Sequence, residues 1–249
     1  MSDDLILEQF TRLLESLPPE DPWSTLEDSG FLDLLRSEDE GGAALPLEDF
    51  FPLVLASGAR EMGAGVVETM VARLVDPDAS GVTDLEAALL TKGVRNARPV
   101  AAAIVAGLMA GAMERLLETT IEYASTRKQF GREISKFQAI QHNLAVMAQE
   151  VMAARMAAQA AFVGVPLEVS ALRAGAAKQR AGQAAQVASA VAHAVHGAIG
   201  MTQEHHLHTL TVPLHAWRLA HGGEAYWARE LGRWALERKD GLVGLARAM

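Results

Sequence analysis

Between Pro99 and His196 the chain has almost nothing but helix-forming residues at helical spacing, and this constrains the fold more than any other feature. Apolar residues recur every three or four positions, interrupted by a Gly- and Lys/Arg-bearing corner near 127–136 and by a Gly-Val-Pro break at 164–166. The pattern predicts one long helix from about Pro99 to Phe130, a second from about Phe137 to Val163 and a third from about Pro166 to His196. The third is mostly Ala, Gln, Gly and Val, which lets helix backbones approach closely. A last helix is expected over roughly 212–239. No segment shows the sustained period-two alternation of a strand.

Upstream, Leu5, Leu7, Phe10, Leu13 and Leu14 sit at helical spacing over 3–16, and PPEDP ends that helix. A short helix is expected from Pro22–Trp23 to Leu35, with helix resuming near Leu47 and again over 63–74. DPDASGVTD at 76–84 reads as a turn or linker. The expected architecture is all-α: an N-terminal helical subdomain (1–75), a linker (76–97) and a C-terminal up-and-down four-helix bundle (98–249).

With half of the 249 residues hydrophobic, a sizeable core is available. The absence of cysteine excludes disulfides, thiolate metal sites and cysteine nucleophiles. MSDDLILEQF is acidic and unlike a signal peptide, and PVAAAIVAGLMAGAM is short and Ala/Gly-rich for a bilayer span, so a cytoplasmic protein away from membranes is expected. A net charge of −9 argues against nucleic acid as a partner. The charge is unevenly spread: residues 1–91 hold 20 acids and 4 bases (−16), residues 92–249 hold 11 acids and 18 bases (+7). Either the two halves attract each other, or the C-terminal half faces an anionic ligand.

STRKQFG (125–131) admits two readings. As a helix end it is sound: Arg127 and Lys128 would complement the dipole in the last turn, Gly131 would be the C′ residue and Phe130 would pack into the core. Read alone, the helix end is the better account, and an anion-binding corner is the alternative. HGAIGMTQEHHLH (196–208) has Gly197 and Gly200, which could let backbone amides approach a phosphate. His205 and His208 could share a helical face with Glu204, but there is no HExxH order and no fourth ligand, so no metal is assigned. Glu114, Glu118 and Glu122 read as a solvated stripe or ion-pair partners. Glu224, after two glycines in HGGEAYW, is a weak candidate for a general base.

The stretch TIEYASTRKQFGREISKFQAIQHNLAVMAQEV (120–151) resembles the C-terminal signature of the acyl-CoA dehydrogenase family, YxxxRxQFGxxIxxFQxxQxxLAxM, at Tyr123, Arg127, Gln129, Phe130, Gly131, Ile134, Phe137, Gln138, Gln141, Leu144, Ala145 and Met147. HGAIGMTQEHHLH is similar to the family's HGGIGFTxEHxLH, and LEDSGFLDLL…EDEGGAALPLEDFFPLV resembles its N-terminal helical domain. The family's middle β-domain would fall between Leu74 and Arg98, where only 23 residues lie, too few for a β-barrel.

The resemblance implies an oxidoreductase subunit whose FAD is shared with a neighbour. Arg127, Gln129, Phe130, Phe137, Gln138, Gln141, Gly197 and Gly200 would contact the ADP and pyrophosphate part, with no metal. Ala194 and Ala198 depart from the family's Gln and Gly. The catalytic carboxylate has no counterpart in register: the late position is Gly223, one residue from Glu224, and the early one is near Ala101. A one-residue slip turns a helical side chain by about 100°. The implied assembly is α2β2 with a full-length acyl-CoA dehydrogenase subunit that binds most of the acyl-CoA, as in lipid or steroid catabolism. A flavin-free helical scaffold and a self-sufficient minimal dehydrogenase using Glu224 are the alternatives.

Overall fold

The computed structural model describes residues 3–18, 20–60, 65–202, 205–237 and 244. They form α1 (Asp3–Ser16), α2 (Pro22–Ser29), α3 (Leu47–Gly58), α4 (Val66–Ala72), α5 (Leu85–Thr91), α6 (Ala97–Thr126), α7 (Gln138–Ala161), α8 (Ala171–His196), α9 (Leu207–Leu219) and α10 (Glu224–Glu237). The only strands among these residues are β1 (Lys128–Gln129) and β2 (Arg132–Glu133). The fold is all-α, as expected.

Helix α1 buries Ile6, Phe10 and Leu14, spaced by four, while Leu5 is exposed. Of the expected apolar positions, Phe10 and Leu14 are buried and Leu7 and Leu13 pack against the core half-buried. Helix α2 starts at the Asp21 cap, whose carboxylate accepts from the Ser24 amide at 3.2 Å, with Pro22 as the first helical residue. It stops at Gly30 in the left-handed region (φ +73°), short of the expected Leu35, and a 3₁₀ turn follows at Phe31–Asp33. The buried Arg73 ties these pieces to α4, pairing with Glu27 (2.5 Å) and Asp33 (3.0 Å) and donating to the Ala79 carbonyl (2.9 Å). The 76–97 stretch holds a helix, α5, capped by Asp84 (3.0 Å to the Ala87 amide).

Helix α6 is the pillar of the fold. Its 30 residues run about 45 Å, and from Val100 to Met113 every residue is buried. It is long and apolar enough to cross a bilayer, but α3, α5, α7, α8 and α9 enclose it. At the crossing with α3, glycine does the work: a Cβ at Gly111 would lie 2.0 Å from the Leu55 carbonyl oxygen, and one at Gly58 2.0 Å from that of Leu108. The apolar interior runs unbroken from α1 to α9.

Two long-helix boundaries move by a few residues: the first ends at Thr126 instead of Phe130, and the third begins at Ala171 instead of Pro166. The helix expected over 212–239 is two helices; its last residues, 238 and 239, lie outside the described residues. The break holds His221 (φ +53°) and Gly222 (φ +98°). The carbonyls freed there are captured by the buried Lys178, whose Nζ donates to Arg218 (2.9 Å) and Gly222 (3.1 Å). Trp227 Nε1 donates to His221 O (3.2 Å), and its ring lies over Gly175, where a Cβ would be only 2.6 Å away.

Candidate functional site

STRKQFG does not continue helix α6. Arg127 caps it in extended conformation (ψ 125°), its amide donating to Tyr123 O (2.9 Å), and the chain enters a tight hairpin pairing Lys128 with Glu133 and Gln129 with Arg132. The two turn residues are Phe130 (φ +50°) and Gly131 (φ +77°), both left-handed as a type I′ turn requires. Gly131 suits such a turn; Phe130 is held there at a cost of about 1–2 kcal/mol. Gly131 is thus a hairpin residue and not a helix C′. Phe130 is not in the core: it is 92% exposed, its ring meeting that of Phe137 edge-on at 6.2 Å.

Between this hairpin and the C-terminal end of α8 opens a cavity of about 740 Å³. Arg127, Gln129, Phe130, Phe137 and Gly197 line it, so the RKQF and HGAIG segments, 66 residues apart from Gly131 to Gly197, come to one place. Its floor is an aromatic stack: Tyr123 lies on His196 (4.3 Å, 24°), and His205 meets His196 edge-on at 4.6 Å. Tyr123 Oη donates to His196 O (3.4 Å). Ile134, Ile140, Val195 and Ile199 complete an apolar wall.

Not every expected residue reaches the cavity. Gln138 opens α7 outside the lining, and Gln141 donates to Ser135 O (3.0 Å). Gly200 is buried; a Cβ there would lie 2.8 Å from His196 Cβ and 3.0 Å from Leu207, so glycine at 200 answers a packing need. Gly197, by contrast, faces open space at φ +64°. Ala194 is exposed outside the lining, and Ala198 lines the cavity without positive φ. Tyr123, Ile134, His196 and Ile199 entered the sequence reading only as positions of the two motifs, with no contact assigned to them, although Tyr123 stands one helical turn before Arg127 and His196 directly before Gly197.

The electrostatics are one-sided. Among the described residues, Arg127, Lys128 and Arg132 have no ion-pair partner; Arg132 lies over the Phe137 ring at 4.2 Å. Among the described residues, the ion pairs joining residues 1–91 to 92–249 are Asp76–Lys92, Glu86–Arg98 and Glu86–His221, all at or beside α5, and none of them reaches the hairpin cations. Burial holds the His196 imidazole below its usual pKa; the Ala192 carbonyl, 2.8 Å from Nδ1, opposes this, and His205 and His193 add to it. A neutral His196 donates Nδ1–H to Ala192, leaving Nε2 an acceptor.

Glu224 is elsewhere. It opens α10 against α8, paired with Arg218 at 2.7 Å and so close to Gly182 that a Cβ there would meet it at 2.7 Å. Burial pushes its carboxyl up, but Arg218, its own amide and Lys178 outweigh this and leave it below the usual range. A carboxylate so engaged is a structural ion-pair partner and a poor proton acceptor. Glu114 pairs with Arg155 (2.7 Å) and Glu118 with Arg115 (3.3 Å), as ion-pair partners should. His208 is exposed with Nδ1 3.0 Å from His205 O; Glu204 lies outside the described residues.

Residues 92–236 match the family model described as acyl-CoA dehydrogenase, C-terminal domain. The chain belongs to the acyl-CoA dehydrogenase family. It is a short form, with no β-domain among the described residues between its N-terminal helices and the acyl-CoA dehydrogenase bundle. Acyl-CoA dehydrogenase IpdE2 of Mycobacterium tuberculosis is 38% identical over 109 residues, 43% of this chain; the match spans 33% of that relative, about a third of its length. A glutaryl-coenzyme A dehydrogenase in complex with glutaryl-CoA is 26% identical, covering 57% of this chain and 36% of its own, with a TM-score of 0.54. A chain of the ChsE4–ChsE5 complex from Mycobacterium tuberculosis covers 95% of this chain and 97% of its own, with a TM-score of 0.78. At 16% identity that last likeness is one of fold.

Proposed function

We propose that this chain is a non-catalytic subunit of a heteromeric acyl-CoA dehydrogenase, its hairpin cavity completing the ADP and pyrophosphate part of an FAD site whose flavin end lies on a full-length partner. The observation that carries this is the cavity itself: two family motifs meet there around an Arg127 with no ion-pair partner among the described residues, which also hold no β-domain to cover a flavin. When bound, FAD supplies the hydride acceptor for α,β-desaturation of an acyl-CoA thioester.

The residues present fit such a ligand. The Arg127 guanidinium can give two parallel charge-assisted hydrogen bonds to a pyrophosphate, with Lys128 and Arg132 adding field. Phe130, Phe137 and Tyr123 offer ring faces, and Gly197 presents backbone without a side chain in the way. With Glu224 held by Arg218, the partner supplies the base and most of the acyl-CoA site. The ChsE4–ChsE5 and Tcur3481–Tcur3483 assemblies, the latter a steroid acyl-CoA dehydrogenase, support a second, different acyl-CoA dehydrogenase chain as partner and a bulky acyl-CoA; α2β2 is the arrangement proposed here.

Co-expression with a full-length family member is the test. The complex is expected to be yellow and active, and the chain alone colourless and inactive. Arg127→Ala in the complex should weaken FAD retention about 10- to 100-fold, the loss of one charge-assisted contact. A yellow, active homo-oligomer of this chain alone overturns the proposal; a colourless complex indifferent to Arg127→Ala turns it into the scaffold reading.

A further inference from the structure

Away from the hairpin, another cleft lies between α5 and the break that separates α9 from α10. It measures about 450 Å³, the size of a small-molecule site, and its lining includes Thr83, Asp84, Glu86, Ala87, Leu90 and His221. It holds a carboxylate–imidazole pair: His221 Nδ1 lies 3.1 Å from Glu86 Oε2. The other carboxylate oxygen, Oε1, accepts from Arg98 Nε at 2.7 Å. Both side chains are mostly buried, His221 to 10% exposure and Glu86 to 15%. They stand 135 residues apart in the chain, so only the fold joins them.

His221 occupies a position suited to glycine. Its φ is +53°, a region that glycine enters freely and that a Cβ makes costly. The surroundings hold it there: Trp227 Nε1 donates to its carbonyl (3.2 Å), and Lys178 Nζ donates to that of Gly222 (3.1 Å). A strained residue kept in place by its neighbours points to a task for its side chain. Donation of Nδ1–H to Glu86 puts the basic lone pair on Nε2. Among the described residues nothing hydrogen-bonds that atom, and it is not sealed in as His196 Nε2 is, so water in the cleft reaches it. An imidazole oriented by a buried carboxylate, with its other nitrogen open to water, has the form of a general base.

The lining selects the substrate. Asp84 and Glu86 make the cleft negative, and Arg98 is already engaged by Glu86, so anions are disfavoured. Leu90, 56% exposed, forms an apolar wall with Ala87 and Ala220, wide enough for a short hydrocarbon chain. Thr83 brings a hydroxyl that can donate to a carbonyl oxygen. A neutral carbonyl compound with a short acyl chain satisfies all three.

We propose that this cleft hydrolyses neutral esters of short carboxylic acids, with His221 as general base and Glu86 as its positioning residue. His221 Nε2 takes a proton from a water whose oxygen bonds to the acyl carbon. The bond from that carbon to the ester oxygen then breaks, and the proton passes from Nε2 to the departing oxygen. Water and ester give acid and alcohol, with no cofactor. The cleft shares no lining residue with the hairpin cavity, so the proposal stands or falls apart from the proposed function.

The probe is p-nitrophenyl butyrate, followed by release of nitrophenol. The chain alone should hydrolyse it with saturation, and kcat/KM should fall as lower pH protonates the ring. His221→Gly suits φ +53° and should keep its circular dichroism while kcat falls by about 100-fold or more, the ordinary worth of a general base. Added imidazole should restore part of that rate, beyond what imidazole gives in buffer. His221→Asn, also tolerated in the left-handed region, should lose activity in the same way. Glu86→Gln should lower kcat with KM little changed. His208 is exposed and outside the cleft, so His208→Gln should leave the rate as it is. Hydrolysis without saturation overturns the proposal. So does an undiminished rate in His221→Gly or His221→Asn, a His221→Gly that imidazole does not restore, or an equal loss in His208→Gln.

Discussion

Gly111→Ala puts the α3–α6 crossing to a quantitative test. The added methyl carbon would sit 2.0 Å from the Leu55 carbonyl oxygen and 2.9 Å from its Cα. Ordinary contact begins near 3.4 Å, so the deficit is 3.4 − 2.0 = 1.4 Å, against backbone that no rotamer change can clear. The helices must part by about that distance. Phe50, Phe51, Val54 and Phe162 are buried around this crossing, and a gap of 0.5–1 Å already forfeits about a quarter to a half of each dispersion contact. Overpacking costs about 1–3 kcal/mol and occasionally more, and a clash against backbone that cannot swing aside puts this site at or above the top of that range. Replacing a mid-helix glycine by alanine returns about 1 kcal/mol. A net loss of about 2–4 kcal/mol follows, a large share of the usual 5–15. In urea, with a slope of about 2–3 kcal/mol/M for a chain of this size, the midpoint should fall by about 0.7–2 M. Gly58→Ala strikes Leu108 across the same crossing, so one separation relieves both clashes. The double variant should cost clearly less than the sum of the singles, by about 1 kcal/mol or more. An unchanged or raised midpoint for Gly111→Ala would refute the close approach, and strict additivity would refute the shared movement.

Three further outcomes are expected. Burial lowers the Lys178 amine from 10.5 to about 8, with Glu224 opposing and Arg218 assisting; between those pH values the unfolded chain holds more protons, so stability should rise with pH across that window, and Lys178→Met should abolish the rise. His196, held below 6.5, is neutral in the fold, so its contribution is lost as pH falls through that region; an NMR titration placing it at or above 6.5 would contradict the buried stack. Phe130→Ser should leave the unfolding free energy within about 0.5 kcal/mol of wild type, since the ring is exposed, while weakening capture by a full-length family member.

Much of this chain was legible without coordinates. Periodicity located every long helix, because burying an apolar stripe is a local pattern repeated many times. The in-register run from Tyr123 to Met147 located the cavity mouth, because several fixed spacings seldom agree by chance. Features set by one or two residues were misread. Phe130 looked like core because it is aromatic, yet its exposure follows from a two-residue turn whose left-handed geometry no apolar pattern encodes. The 212–239 helix looked continuous because helical propensity does not register Lys178, 34 or more residues away, stabilising the freed carbonyls of the break.

By itself, the sequence determined the all-α class, the family and the loss of the middle domain, since these depend on residue order along one chain. Only the tertiary structure decided that Arg127 has no ion-pair partner among the described residues while Glu224 is held, that His196 and Tyr123 floor the cavity, and that Glu86 meets His221. The reason is physical. Periodicity reports that a side chain can be buried or paired, but which partner takes it depends on how distant helices cross, and here glycine contacts a few ångströms across set that crossing.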